Sequence, residues 1–260
     1  MTALLAHLSG RVDAGAKLLV PYVMTGLPDR VSFPAAFAAV AEHADVVELG
    51  LAYSDPLMDG PVIAAAGERA LREGVGPRHA LDLARELPAG VPRVVMTYYN
   101  PIHKMGEAEF CRVAADAGVC GLIVPDIPIE ESGGLRSSAA EHGLAWIPLV
   151  APTSSRKRVE SIAATATGFV YAVSTLGVTG TRRSLSERAF AVVSACREAT
   201  DLPICVGIGV SDAVQAVQAA EHADGVVVGS AVVAALLETG AQGASAFLAE
   251  LRSALDRMSV

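Results

Sequence analysis

A chain of 260 residues that is 52% hydrophobic and 18% charged can bury a large core, which excludes an intrinsically disordered protein. Its formal net charge of -8 leaves no basic face for a nucleic acid or an anionic membrane, although a small anion needs only a local cluster of donors. No run of about 18 apolar residues is free of charges or turn formers, and the N-terminal stretch with His7, Arg11 and Asp13 lacks a secretory core, so a cytoplasmic protein is expected.

In chain order, a helix is expected over 2–13, then a strand over 17–23, a helix over 35–42 and a strand over 45–49. Two helices over 61–72 and 78–86 precede a strand over 91–97, which leads to a helix over 107–117 and strands over 121–124 and 145–150. The pattern continues with helix 156–164, strand 169–173, helix 186–199, strand 203–206, helix 213–220 and strand 225–228. The strands are almost continuously apolar, as parallel strands covered on both faces should be. The helices carry apolar residues at helical spacing, with Glu, Arg or Asp on the other side. Eight strand-helix units point to a closed (β/α)8 TIM barrel with an extra N-terminal helix. An open doubly wound sheet is the main competitor, and the strand count favours the barrel. No linker divides the chain, so 1–260 reads as a single barrel domain. The four cysteines, Cys111, Cys120, Cys196 and Cys205, have no zinc-type spacing and read as small buried hydrophobes with free thiols.

Barrel enzymes place their chemistry at the C-terminal ends of the strands. Glu48 ends the second apolar run, where poor solvation should raise its pKa until one group can both give and take a proton. Behind it a turn-rich loop holds Asp55 and Asp59, and either could shape the turn or cap a helix instead. The glycines of Val206-Gly207-Ile208-Gly209 after the seventh strand, and Gly229-Ser230 after the eighth, suit a phosphate cradle of backbone N–H groups and one hydroxyl. The stretch from Ser174 to Arg183, with Gly177, Thr179 and Gly180, suits a lid that excludes water, or an ordinary exposed loop. Arg182 and Arg183 are not assigned to the phosphate. Asp126 falls on the same rim, while Glu130 and Glu131 are expected to begin a helix. Tyr22, Tyr98, Tyr99 and Tyr171 at strand ends suggest an aromatic-lined pocket, although core packing explains any one of them equally well.

Pro21-Tyr22-Val23, Glu48-Leu49-Gly50, Ser54-Asp55-Pro56, Asp59-Gly60-Pro61, the run Pro125 to Ser132 and Gly177-Val178-Thr179-Gly180, taken together, resemble the tryptophan synthase alpha chain family. The resemblance covers essentially the whole chain. It implies retro-aldol cleavage of indole-3-glycerol phosphate to indole and glyceraldehyde 3-phosphate in tryptophan biosynthesis. It further implies Glu48 as acid for the indole C3 and base for the glycerol hydroxyl, and Asp59 as stabiliser of charge at the indole N–H. Tyr22, Met96, Tyr98 and Tyr171 would line the indole pocket. Gly180, Gly207, Ile208, Gly209, Gly229 and Ser230 would hold the phosphate. Thr179 of the lid would close onto Asp59, and Asn100 and Asp126 would tie the lid, with Gly177, to a partner surface. The implied partner is a beta chain in an alpha2beta2 assembly, with pyridoxal phosphate in that partner and no cofactor or metal in this chain.

Two departures from the family pattern stand out. Gly50-Leu51-Ala52 replaces the usual Gly-Val-Pro, and Ala64 stands where glutamine is common. Both fall where subunit communication is built, so a stand-alone indole-releasing lyase is kept as an alternative. A different phosphate-binding barrel of the same pathway, and a barrel that only activates a beta chain, are the other competing readings.

Overall fold

The computed structural model describes residues 1–173 and 182–258, and of 182–189 the backbone alone. Among these residues the strand segments are β1 (Leu18–Met24), β2 (Val47–Gly50), β3 (Arg93–Met96), β4 (Val119–Ile123), β5 (Ala145–Trp146), β6 (Leu149–Val150), β7 (Val170–Val173), β8 (Ile204–Gly207) and β9 (Gly225–Val228). The helices are α1 (Ala3–Asp13), α2 (Phe33–Ala41), α3 (Pro61–Arg72), α4 (Pro77–Arg85), α5 (Tyr99–Met105), α6 (Glu107–Asp116), α7 (Gly133–Glu141), α8 (Arg156–Ala163), α9 (Arg182–Ala199), α10 (Ala213–Ala220) and α11 (Ser230–Asp256).

All pairings are parallel, in the order β5-β4-β3-β2-β1-β9-β8-β7-β6. The two ends of that order are halves of one strand. The Ile147 N–H donates to Leu122 O on one side, at 3.0 Å, and Pro148 O accepts from the Tyr171 N–H on the other, also at 3.0 Å. The sheet therefore closes on itself as an eight-position barrel. The expected strand over 145–150 is split because Pro148 has no N–H to continue the ladder.

Side chains alternate across a strand, and here both directions are dry. One set, Leu18, Val20, Val46, Val94, Ile123, Ala145, Ile147, Phe169, Cys205 and Val227, meets Leu4 and Leu8 of α1 in a plug that fills the lower barrel. The other set, including Leu19, Val23, Leu49, Val95 and Leu122, packs under the outer helices. Thr2 starts α1, accepting from the Leu5 N–H at 3.2 Å and donating to Thr167 O at 2.6 Å, which fixes the plug across the barrel floor.

One expectation needs correction, and three helices had no expected span. Glu130 and Glu131 lie in a turn rather than opening a helix, and α7 begins at Gly133. The helices α5 and α7 fall in segments where no helix span was expected. The helix after Gly229 runs to Asp256 with a break at Gly240, whose φ of 70° and ψ of -166° are non-helical. By length and composition alone α11 could cross a membrane. It packs instead on α2 and β1, with Val232, Leu236, Leu248 and Leu251 buried.

Asp45 ties the floor together. Its Oδ1 accepts from Arg11 Nε at 2.7 Å, and its Oδ2 accepts from the Leu19 N–H at 2.8 Å and from Arg252 Nη1 at 3.0 Å. One 6%-exposed carboxylate thus joins α1, β1 and α11. Asp45→Ala should lower unfolding free energy by about 3–5 kcal/mol, because it leaves a largely buried guanidinium and a buried N–H without their acceptor. Urea unfolding checks this, and a loss within about 0.5 kcal/mol of zero would show that the network is dispensable.

Candidate active site

The site is built by going two residues up seven of the eight strands from the plug; on β8, Cys205 leads to Gly207, which lies outside the lining. Val20 leads to Tyr22, Val46 to Glu48, Val94 to Met96, Ile123 to Pro125, Ile147 to Leu149, Phe169 to Tyr171 and Val227 to Gly229. Every one of these upper residues lines a single cavity of about 150 Å³, completed by Met58, Asp59, Gly60, Ile63, Val173 and Val227. The period of two that buries Val46 therefore points Glu48 into the same space. The register Tyr22↔Glu48 sets the two side by side.

Glu48 is 1% exposed and its Oε2 has no hydrogen-bond partner among the described residues. Burial, with a smaller contribution from the nearby Asp59 charge, pushes its pKa up to about 8. Lys17 gives it no counter-charge, since Lys17 Nζ is spent on Ala223 O at 2.9 Å. At neutral pH Glu48 is therefore a neutral acid facing the cavity. Asp59 is also raised by burial, but Tyr98 Oη donates to its Oδ1 at 3.0 Å and opposes that rise. Both acids are thus raised by burial, Glu48 the further of the two, and only Asp59 has a hydrogen-bond donor that supports its charged form. Asp55 lies outside the cavity lining, exposed and hydrogen-bonded to Ser54 Oγ at 2.6 Å.

Room for the aromatic walls depends on two glycines. A Cβ on Gly50 would lie 1.9 Å from the Tyr22 hydroxyl, and one on Gly207 would lie 2.8 Å from the Tyr171 ring. Tyr22, Met96 and Tyr171 line the cavity as expected. Tyr98 does not; it stands behind Asp59. Tyr99 belongs to α5, with its hydroxyl on Glu107 Oε1 at 2.8 Å. Met58, Ile63, Pro125, Leu149, Val173 and Val227 were not anticipated as lining. The strand members among them follow the same period of two and were readable from it, whereas Ile63 depends on where α3 docks.

A cavity of this size is below the roughly 300–1,000 Å³ of sites that enclose a whole drug-sized ligand. It suits one apolar portion, with a polar remainder over the rim. At that rim α11 starts at Ser230 with Gly229 as its N-cap and no side-chain cap, leaving first-turn N–H groups open to an anion. The neighbouring α10 differs, because Asp212 Oδ1 already accepts from the Gln215 N–H at 2.8 Å. Gly207 and Ile208 are half-buried and Gly209 is exposed, with a positive φ of 74° that favours glycine. Of the described members of this expected cradle, only Gly229 touches the cavity itself. Gly177, Thr179 and Gly180 lie outside the described residues.

Asp126 Oδ1 accepts from the Tyr99 N–H at 2.9 Å, holding the start of α5, and Asn100 Nδ2 donates to Tyr53 Oη at 3.0 Å. Asn100, Tyr53 and Ala52 border a second rim cavity of about 630 Å³ with Asp55, Arg78 and Lys104. A cavity of about 510 Å³ at the barrel floor includes Asp45, whose carboxylate is already committed to its ion pairs. Among the described residues no three His, Cys, Asp or Glu side chains are grouped to hold a metal. Cys111, Cys196 and Cys205 are buried and Cys120 is half-buried, all as free thiols.

Residues 9–259 match the family model described as tryptophan synthase alpha chain. The chain is 44% identical to the tryptophan synthase alpha chain of Synechococcus elongatus, across the whole of this chain and 99% of that relative. It is 46% identical to that of Carboxydothermus hydrogenoformans, over 84% of this chain and 83% of the relative. A solved structure of Mycobacterium tuberculosis tryptophan synthase superposes with a TM-score of 0.91 at 41% identity, covering 98% of each chain. The alpha subunit from Legionella pneumophila superposes with a TM-score of 0.90 at 32% identity, covering 99% of each.

Proposed function

The chain belongs to the tryptophan synthase alpha chain family, and from that premise we propose that Glu48 and Asp59 divide the acid-base work of its lyase reaction. The protein cleaves indole-3-glycerol phosphate to indole and glyceraldehyde 3-phosphate in tryptophan biosynthesis, and it pairs with a beta chain. The observation that carries the division of labour is a neutral, buried Glu48 sharing one apolar cavity with a more ionisable Asp59.

Glu48 gives its proton to C3 of the indole ring. Positive charge then develops at the ring nitrogen, where the Asp59 carboxylate stabilises it, accepting the N–H proton and returning it when the C–C electrons come back to the ring. Glu48, now a carboxylate, takes the proton from the hydroxyl on the carbon attached to C3. As that O–H electron pair forms the aldehyde, the C–C bond breaks and its electrons return to the ring. Glu48 is protonated again at the end, so the proton moved from hydroxyl to C3 balances without a cofactor in this chain.

Tyr22, Met96 and Tyr171 hold the ring, and their position on the cavity wall supports that role. The phosphate lies at the rim on the N–H groups that begin α11, with the Ser230 hydroxyl and the Gly207-Ile208-Gly209 and Gly180 backbone. The uncapped α11 start supports this placement. Thr179 is assigned to Asp59, and Gly177 to coupling with the partner, on the sequence motif alone. The finer assembly, alpha2beta2 with pyridoxal phosphate in the beta chain and a cytoplasmic location, follows the same family reading. Exposed Leu57 and Met58, beside the rim cavity of Asn100 and Tyr53, offer apolar surface for that partner.

Leu51 and Ala52 are 4% and 1% exposed, so the departure from Val-Pro is a change inside the wall beneath that surface. Indole release, measured with the purified chain alone and after adding a beta chain, tests the whole reading. Release that rises on mixing is expected. High release indifferent to the beta chain would favour the stand-alone lyase, and none in either tube would contradict the assigned reaction.

A further inference from the structure

Tyr98 was expected on the pocket wall, yet it is 3% exposed and outside the cavity lining. Its hydroxyl accepts from the Met58 N–H at 2.9 Å and lies 3.0 Å from Asp59 Oδ1. A phenol has one proton, and the Met58 N–H already points at the oxygen, so that proton is directed to the carboxylate. The platform behind it is rigid. Tyr98 is the extended N-cap residue of α5, the next residue is held by Asp126, and the Tyr53 ring stands 5.4 Å away, centroid to centroid. Asp59, by contrast, sits on an irregular loop between Gly50 and Pro61.

We propose that Tyr98 is a positioning residue for the lyase reaction, its hydroxyl pinning Met58 and orienting the Asp59 carboxylate toward the ring nitrogen, rather than a wall of the ring pocket. This rests on the role of Asp59 given above. The titratable groups that face Asp59 among the described residues are Glu48 from β2, Tyr22 from β1 and Tyr98 itself. Among the described residues, Tyr98 is the one side chain that hydrogen-bonds it. Without that donor the charged form of Asp59 loses support, so the acid limb of the rate profile moves to higher pH.

The test is steady-state indole release by Tyr98→Phe, with folding checked by circular dichroism. Phenylalanine keeps the ring and removes only the hydroxyl. The expected result is a kcat lower by roughly 10- to 100-fold, KM within about twofold of the parent, and an acid limb displaced upward. In an Asp59→Asn background the same change should cost almost nothing more. Wild-type kcat and pH profile in Tyr98→Phe would overturn the positioning role, as would a raised KM at unchanged kcat, which a mere wall residue gives. A full further loss in the Asp59→Asn background would also overturn it, since Tyr98 would then act elsewhere. The two readings fail separately: an inactive Asp59→Asn beside an unaffected Tyr98→Phe sinks the positioning role alone, whereas an active Asp59→Asn sinks the role of Asp59 and this proposal with it.

Discussion

Glu48→Gln should lose indole release by at least roughly 10³-fold at neutral pH, because one group performs both proton transfers and an amide performs neither. The substitution is nearly isosteric, so KM should change little, and the loss should fall on kcat. It should also stabilise the fold. The sign follows from linkage: below the ordinary glutamate pKa of 4.5 both folded and unfolded chains hold the proton, and no cost arises. Between that value and about 8 the unfolded chain releases the proton while the folded chain keeps it, so stability falls as pH rises through this window. Above it the cost is complete, of order a few kcal/mol. Glu48→Gln removes this pH-dependent loss, and urea unfolding at pH 6 and pH 9 should show a difference from wild type that grows with pH. An active Gln variant, or one less stable than wild type at pH 9, would contradict the account of Glu48.

Asp59→Asn should lower kcat by roughly 10²- to 10³-fold while leaving the fold intact, since it removes the negative charge opposite the ring nitrogen but keeps the side-chain shape. The loss is smaller than for Glu48 because C3 can still be protonated; what disappears is support for the cation that results. In wild type the activity should fall on the acid side as Asp59 takes up a proton, at a pH above that of an exposed aspartate, because burial raises it. Asp59→Asn should flatten that limb and leave the alkaline fall, which belongs to Glu48. Steady-state rates from pH 5 to pH 9 check both. Retention of the acid limb in the Asn variant would assign it to another group.

Much of this site was readable along the chain. Glu48 stood out because a charged residue closes an apolar strand, and the alternation Val46, Glu48, Gly50 fixes its direction once the strand is placed. The glycines after β8 and β9 were readable for the same reason, since a barrel rim puts them beside helix starts. Asp55 and Asp59 were not separable by spacing. Both sit in one turn-rich loop, and only the path of that loop leaves Asp55 bonded to Ser54 in solvent and Asp59 in the cavity.

The partner of Asp59 was hidden for a similar reason. Tyr98 comes from 39 residues further along, and a strand-end tyrosine looks alike whether it walls a pocket or backs a carboxylate. The helices given no expected span carry little periodic signal, although one was expected to begin at Glu130-Glu131. α5 has seven residues with Pro101 among them, and α7 opens on Gly133-Gly134 and buries only Leu135 and Ala139. The split of the fifth strand at Pro148 was overlooked because hydrophobicity runs straight through it.

The central claim is that Glu48 is a neutral acid at neutral pH before substrate binds. A titration of its carboxyl carbon by NMR, with glutamate labelled and Glu48→Gln used to assign the resonance, measures that directly. The account predicts a midpoint near 8 in the ligand-free protein. A midpoint near the ordinary value of 4.5 would mean that Glu48 is ionised at neutral pH and cannot make the first proton transfer.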